Sequence, residues 1–255
     1  MNKHDEPFFI GFVAPPRALR GFLIGAVLVL AALFAGLGWL LAATQDDPGD
    51  GAFRFDWQRQ TVTGILEARP YPMVHVLEGT EHVPAGRTIM LSGGGKRGVQ
   101  DRATPLDGQV VTVSGVALNR GDLLMLQLRN GTNGIDGLSE AAVHAPPAPV
   151  SLGRWRLVGE ICDGKCYAGA MRPGTGLAHK ACAILCLDGG VPPVFVATDA
   201  VDGAQFLMLA GPDGGEVPSA VLQQTAILVT AEGEIARRGD LLVFRIDPDS
   251  VVPAQ

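Results

Sequence analysis

The chain begins with one long apolar stretch and continues with short apolar segments separated by turns. Residues 22–43 are an unbroken run of apolar residues and glycine. A helix of that length extends about 33 Å at 1.5 Å per residue, which is enough to cross the hydrocarbon core of a bilayer. We therefore predict a transmembrane helix over residues 22–43, preceded by a short cytosolic lead (residues 1–21) and followed by a linker (residues 44–54).

Charged residues on either side of this stretch predict its orientation. Three basic residues precede it, Lys3, Arg17 and Arg20, and three acidic residues follow it, Asp46, Asp47 and Asp50. By the positive-inside rule the N-terminus lies in the cytoplasm, so we expect a bacterial inner-membrane protein whose bulk is periplasmic. A cleavable signal peptide ending near Ala42-Ala43-Thr44 is the alternative, but the apolar run is longer than the core of an ordinary signal peptide.

Beyond residue 54 the pattern changes to segments that alternate between apolar and polar residues, or run apolar, between turn residues. Such segments are typical of β-strands. The predicted strands fall into two sets: 60–66, 88–91, 110–118 and 123–128, then 155–159, 206–209, 226–233 and 241–246.

These two sets form an internal repeat. Arg120-Gly-Asp-Leu-Leu124 recurs 118 residues later, at 238–242, and the same shift superimposes Gly115 on Gly233. Near the start of each copy, residues 63–66 correspond to 158–161, but there the shift is only 95. The second copy therefore contains 23 additional residues between Gly159 and Leu207.

The fold class that follows is all-β with one N-terminal transmembrane helix. We predict two tandem small barrels of the OB type, residues 55–137 and 151–255, joined by a proline-rich linker at residues 138–150. Each Arg-Gly-Asp triplet is interpreted as a hairpin turn in which glycine adopts positive φ, rather than as an adhesion motif.

All four cysteines lie in the additional segment, within residues 160–193, which we predict to be a Cys/His-bearing insertion of the second barrel. The candidate site residues are Cys162, Cys166, His179, Cys182 and Cys186. A short helix can begin at Thr175 or Gly176 and end at Gly189-Gly190. In that helix the histidine and the last two cysteines are spaced to share one face.

Three interpretations of these residues remain open. Two disulfides, each joining Cys162 or Cys166 to Cys182 or Cys186, would each stabilise the fold by about 3 kcal/mol. A metal site of thiolates and His179 would suit zinc, copper(I) or an iron–sulfur cluster. A redox-active dithiol is the third interpretation, since Lys165, Arg172 and Lys180 lie close in sequence and nearby cations lower thiol pKa values. The first copy has the same scaffold and no cysteine, which favours an added site somewhat over structural disulfides.

Charge and motifs exclude several functions. The net charge is −6, and nucleic-acid binding requires a basic face. The glycine-rich segment 91–98 lacks the P-loop spacing and is interpreted as a hairpin tip. There is no Gly-x-Ser-x-Gly motif, no histidine cluster and no carboxylate pair with an evident partner. We predict no catalytic residues, and the sequence leans away from an enzyme.

The Cys/His segment resembles that of a family of bacterial proteins with one N-terminal membrane span. The similarity covers Phe8-Phe-Ile-Gly11, residues 159–174, His179–Cys186 and Gly189–Pro193. It implies the architecture and singles out the five candidate site residues. More distantly, one anchor carrying a periplasmic OB barrel is similar to the haem chaperones of cytochrome c maturation, but their His-x-x-x-Tyr haem site is absent here.

These observations lead to one functional expectation and two alternatives. We expect a membrane-anchored periplasmic accessory or assembly protein of a membrane redox system, with an integral-membrane partner and a Cys/His metal or contact site. The alternatives are a structural interaction module with two inert disulfides and a periplasmic thiol oxidoreductase.

Overall fold

The computed structural model describes residues 16–44, 49–131, 134–137 and 145–254. The chain divides into two compact units, Met1–Asp47 and Pro48–Gln255. Most of the predicted lead (residues 1–15) and parts of both predicted linkers (residues 45–48 and 138–144) lie outside the described residues.

The first unit contains helix α1, Arg17–Thr44. Its segment Arg17–Ala43 is long and apolar enough to cross a membrane. The helix begins at Arg17, ahead of the predicted residue 22. The N–H of Leu19 bonds to the carbonyl of Pro16 at 3.0 Å, and proline is well tolerated where a helix starts.

The second unit contains two closed five-stranded barrels. The elements of the first are β1 (Ala52–Phe53), β2 (Arg59–Glu67), β3 (Met73–Glu78), β4 (Thr88–Ser92), α2 (Gln100–Ala103), β5 (Val110–Arg120), β6 (Leu123–Leu128) and β7 (Ile135–Gly137). The barrel runs β5-β2-β3-β4-β6 and closes through the pairing of β6 with β5. Only the β4–β6 pair is parallel, while β1 and β7 add to the edges of β5.

The second barrel repeats this order. Its elements are β8 (Val150–Asp163), α3 (Lys180–Asp188), β9 (Pro193–Val201), β10 (Ala204–Ala210), α4 (Ser219–Leu222), β11 (Leu228–Arg238), β12 (Leu241–Ile246) and β13 (Val252–Pro253). The barrel runs β11-β8-β9-β10-β12 and closes through β12 and β11, again with one parallel pair, β10–β12. Strands β3 and β9 were not among the strands predicted from sequence.

Strand registers reproduce both shifts of the sequence repeat. Gly64 pairs with Val111 in the first barrel, and Gly159 pairs with Val229 in the second. A Cβ atom on Gly115 would lie 2.6 Å from a carbonyl oxygen of the neighbouring strand, and one on Gly233 would lie 2.2 Å from its counterpart. Glycine is needed at both positions because the adjacent strands approach so closely.

The two barrels differ most in the connection from their first strand to their second. Residues 68–72 join β2 to β3, whereas residues 164–192 join β8 to β9. We call these the short and the long first connection. The long one carries helix α3 and three of the four cysteines.

Each first connection packs against the other barrel. From the short one, the Tyr71 hydroxyl accepts a hydrogen bond of 3.1 Å from the N–H of Val217 in the second barrel. From the long one, the Lys165 ammonium donates to the carbonyls of Gly93 and Gly95 in the first barrel, at 2.6 and 2.7 Å. The contacts are reciprocal, because the contacted segment of each barrel follows its third barrel strand, β4 in the first barrel and β10 in the second.

The Arg-Gly-Asp hairpins complete this reciprocal interface. Arg238 of the second barrel bonds to the Glu67 carboxylate of the first. Arg120 of the first barrel lies over the Tyr167 ring of the second, 4.3 Å from its centroid. One apolar core cluster also contains residues of both barrels. The long first connection is therefore held between the barrels.

Candidate metal centre

Three sulfur atoms and one imidazole converge in the long first connection. The ligand atoms of Cys166, His179 and Cys182 lie within 4.8 Å of one another, and so do those of Asp163, Cys166 and Cys186. Cys166 belongs to both groups, so it lies at the centre of the cluster. All four cysteines of the chain are free thiols.

Helix α3 presents two of these sulfurs, as the sequence spacing predicts. A short 3₁₀ turn, Leu177–His179, leads directly into α3, which ends at Asp188 before Gly189. Cys182 and Cys186 lie one turn apart on the same face. Cys186 and His179 are buried, while Cys182 is half-buried and lies at the opening of the site.

The structure does not bring Cys162 into either group. Successive side chains of a strand point to opposite faces, so Cys162 and Asp163 at the end of β8 diverge. The Cys162 side chain lies in the main core and donates a 3.3 Å hydrogen bond to the Glu160 carboxylate. Burial, followed by the charge of Glu160, raises the pKa of the Cys162 thiol. This thiol is therefore harder to ionise than an ordinary cysteine.

Asp163 orients the imidazole of His179, and both side chains are buried. One carboxylate oxygen lies 3.0 Å from Nε2 of His179, and the other accepts a 2.7 Å hydrogen bond from the N–H of Cys166. A carboxylate bound to one ring nitrogen places the proton there and leaves the other, here Nδ1, free to bind a metal. Asp163 was not among the site residues predicted from the sequence. Its spacing three residues before Cys166, which is typical of an Asp side chain that caps a backbone N–H, was the available signal.

Lys96 of the first barrel reaches the sulfurs from outside. Its Nζ lies 2.6 Å from Sγ of Cys182 and 3.8 Å from Sγ of Cys186, and it also donates to the Cys182 carbonyl at 3.3 Å. The hydrogen bond to Cys182 raises the pKa of Lys96, so the ammonium form is stabilised. Sequence analysis treated the glycine-rich segment that carries this lysine as a hairpin tip and did not assign it to the site.

The cations that sequence analysis placed near the thiols make their bonds elsewhere. Lys165 is buried, donates to two carbonyls of the first barrel, and has its pKa lowered by burial. Arg172 forms an exposed ion pair with Asp50 at 3.1 Å, and Lys180 donates to the carbonyl of Gln223 at 3.1 Å. Lys96, which comes from a distant part of the sequence, is thus the cation in hydrogen-bond contact with sulfur.

Cys166 and Cys186 share a hydrogen bond that differentiates their protonation. The bond raises the pKa of Cys166 and lowers the pKa of Cys186, and Lys96 lowers the latter further. Cys186 is thus the thiol of the pair that loses its proton more readily, with Cys166 as its hydrogen-bond donor. Thiolate, rather than thiol, is both the nucleophile and the metal ligand.

The site opens into a cleft of about 220 Å³. Three cysteines, Lys96 and the apolar side chains of Phe53 and Met171 contribute to its lining. In a tetrahedral zinc site with zinc–sulfur bonds of about 2.3 Å, neighbouring sulfurs lie about 3.8 Å apart. Within each of the two groups the ligand atoms already lie within 4.8 Å of one another, so they need to move by only about 1 Å to reach that spacing. The arrangement is suited to a thiophilic metal ion.

Comparisons with known proteins assign no family: no family model matches the chain, and no match was found among curated proteins or among solved structures.

Proposed function

We propose that this protein binds a thiophilic metal ion through Cys166, His179, Cys182 and Cys186, and that it serves as a membrane-anchored periplasmic accessory protein of a redox system. The observation that carries the proposal is that Cys166 lies close to Cys182 and to His179, whose imidazole a buried carboxylate orients, and also close to Cys186. Carboxylate–histidine pairs of this kind are the usual support of a metal-binding imidazole.

Zinc(II) is the favoured ion because three cysteines and one histidine form a common tetrahedral set for it. Copper(I) is the alternative, since thiolates select it as well. An iron–sulfur cluster is less favoured. Such clusters ordinarily take four cysteines, and Cys162 points away from the other three.

The fold supports the interpretation of the cysteines as an added site rather than as structural disulfides. The strand order of each barrel, closed by one parallel pair, is consistent with the OB type. We interpret the long first connection as an insertion into the second of two such barrels. The first barrel closes in the same way with a connection of residues 68–72 and without a cysteine, so barrel closure itself does not need the thiols.

The location and partner are parts of the proposal that rest on the sequence. A single apolar helix near the N-terminus is long enough to anchor the chain, and the charges around it favour a periplasmic position for the barrels. A protein confined to the membrane surface meets integral-membrane partners in particular. We therefore propose that the partner is an integral-membrane component of the redox system.

Metal analysis tests the proposal directly. Full-length protein, purified in detergent without chelator, is expected to contain one zinc or copper ion per chain. Cys166→Ser and Cys182→Ser should lose it, whereas Cys162→Ser should retain it, because that sulfur lies in the core and serine keeps the hydrogen bond to Glu160. Absence of stoichiometric metal from wild type, even after reconstitution with zinc(II) and with copper(I), would reject metal binding.

A thiol oxidoreductase is the second candidate, and the contact between Lys96 and the half-buried Cys182 favours it. That function predicts a reducible pair whose potential lies well above that of structural disulfides. Counting free thiols in denaturant separates the remaining alternatives. Four thiols and bound metal support the metal site, while no thiols and no metal favour two inert disulfides.

A further inference from the structure

The glycine-rich loop of the first barrel, residues 93–98, is built into the metal centre of the second. The N–H of Gly98 donates to the carbonyl of Gly189 at 2.7 Å, at the end of helix α3. A Cβ atom on Gly98 would lie 2.0 Å from the Gly190 carbonyl oxygen, and one on Gly189 would lie 1.9 Å from the carbonyl oxygen of Lys96. Two backbones approach this closely only where glycine omits the side chain.

This close approach places a cation beside the sulfurs. The Lys96 ammonium contacts Sγ of Cys182 directly and lies 3.8 Å from Sγ of Cys186. The neighbouring Lys165 is held instead by two carbonyls of the same loop. The loop therefore binds one lysine of the long first connection and offers its own lysine in return.

The charge of a filled site explains why a cation belongs there. Zinc(II) with three thiolates and a neutral imidazole has a net charge of −1, and the buried Asp163 carboxylate adds a second negative charge nearby. Three of the four proposed ligands are buried, and an anionic centre so placed is unfavourable unless a counter-charge or hydrogen bonds compensate it. Hydrogen bonds to coordinated sulfur provide part of this compensation and tune the metal.

We propose that Lys96 is a positioning and charge-balancing residue of the metal centre, supplied by the first barrel to a site whose ligands all belong to the second. This inference rests on the proposed metal binding. It implies that the metal centre spans the interface and that its affinity depends on how the two barrels pair.

The test compares Lys96→Met, Lys96→Arg and the control Arg97→Met, an exposed residue of the same loop, in full-length protein. Zinc affinity is measured by competition with a chromophoric chelator. Lys96→Met is expected to bind zinc about tenfold more weakly, the scale found for partners of metal ligands. Lys96→Arg, which retains the charge, should recover most of the loss, and Arg97→Met should match wild type.

Cobalt(II) substitution supplies a readout that loss of loop packing alone would not produce. A hydrogen bond to coordinated sulfur stabilises its lone pairs, so its removal should shift the sulfur-to-cobalt charge-transfer band of Lys96→Met to longer wavelength. Equal zinc affinity and an unchanged band in Lys96→Met would overturn the role of Lys96 while leaving metal binding intact. If wild type binds none of zinc(II), cobalt(II) and copper(I), the proposed function and this inference fail together.

Discussion

The short and the long first connection occupy equivalent places in the two barrels, yet they have different roles. The short one presents the Tyr71 hydroxyl to a backbone N–H of the second barrel. The long one presents Lys165 and the thiols to the glycine-rich loop of the first. Both therefore contribute to the interface, and only the long one adds a reactive cluster. The same connection is therefore a packing contact in the first copy and holds the candidate metal site in the second.

The two barrels also contain comparable carboxylate–histidine pairs. In the first, Nε2 of His75 lies 2.8 Å from the Glu67 carboxylate, and Nδ1 lies 3.1 Å from the Thr88 hydroxyl. In the second, Asp163 binds Nε2 of His179, which leaves Nδ1 as the nitrogen that the proposed metal would bind. The imidazole of the first barrel has both nitrogens hydrogen-bonded and is structural. The difference between the pairs is the partner of Nδ1.

The largest expected loss of stability comes from removing an interface contact beside the short first connection. Arg238→Ala removes the cation bound to the Glu67 carboxylate and to the Arg69 carbonyl, and leaves that carboxylate with His75 alone. Losing one partner of a poorly exposed ion pair costs about 3 kcal/mol of unfolding free energy. Urea unfolding of the full-length protein measures it.

The neighbouring Arg237 provides a matched control. Its ion pair with Asp202 is much more exposed, and exposed pairs are worth about 0–1 kcal/mol. Arg237→Ala should therefore destabilise the protein by less than 1 kcal/mol. Equal losses in the two variants would show that Arg238 does not stabilise the barrel interface in the way we describe.

The next largest expected effect is a loss of stability at high pH, and it tests the contact that Tyr71 of the short first connection makes. Burial raises the pKa of Tyr71 to about 12, against about 10 for an ordinary tyrosine. Between these values the unfolded chain loses the phenol proton while the folded protein keeps it. The free energy of unfolding therefore falls as pH rises from about 10 to about 12, by roughly 2.7 kcal/mol in all.

Tyr71→Phe isolates this contribution from the other groups that titrate at high pH. The variant lacks the phenol proton, so its stability should decline less steeply than that of wild type over the same range. Urea unfolding of both proteins at several pH values gives the difference. Parallel declines would mean that Tyr71 ionises in the folded protein as readily as in the unfolded one.

Local patterns in the sequence were sufficient to predict much of this architecture. The apolar run predicted a helix that could span a membrane, and the alternation in residues 110–118 predicted strand β5. The glycine pair after Asp188 correctly predicted the end of helix α3. Strand β3 escaped prediction because its apolar run is short and lies directly after Pro70-Tyr71-Pro72.

The candidate metal centre could be predicted only in part. Cys166, His179 and Cys182 were recognised together because they lie in one short segment. Lys96 is 86 residues from Cys182 in the sequence, so only the pairing of the barrels reveals their contact. Cys162 was grouped with the other cysteines because spacing alone does not show which face of β8 it occupies. Long-range topology decided both points.

The smallest expected effect is a loss of zinc-binding free energy, and it is the effect most specific to the second barrel. Asp163→Asn keeps an oxygen that can accept from the N–H of Cys166, but it places an amide NH₂ near Nε2 of His179. An amide donor requires the lone pair on Nε2, which transfers the imidazole proton to Nδ1 and blocks that nitrogen as a ligand. We expect zinc affinity to fall about 10- to 100-fold, equivalent to roughly 1.4–2.7 kcal/mol.

Glu67→Gln makes the same chemical change beside His75 of the first barrel and is the matched control. Both nitrogens of that imidazole already have hydrogen-bond partners, and no cysteine lies in its barrel. Zinc affinity should therefore stay within about twofold of wild type, even though the protein is less stable. If Asp163→Asn left the affinity unchanged, His179 would not be a metal ligand, and a centre formed by the three sulfurs alone would have to replace it.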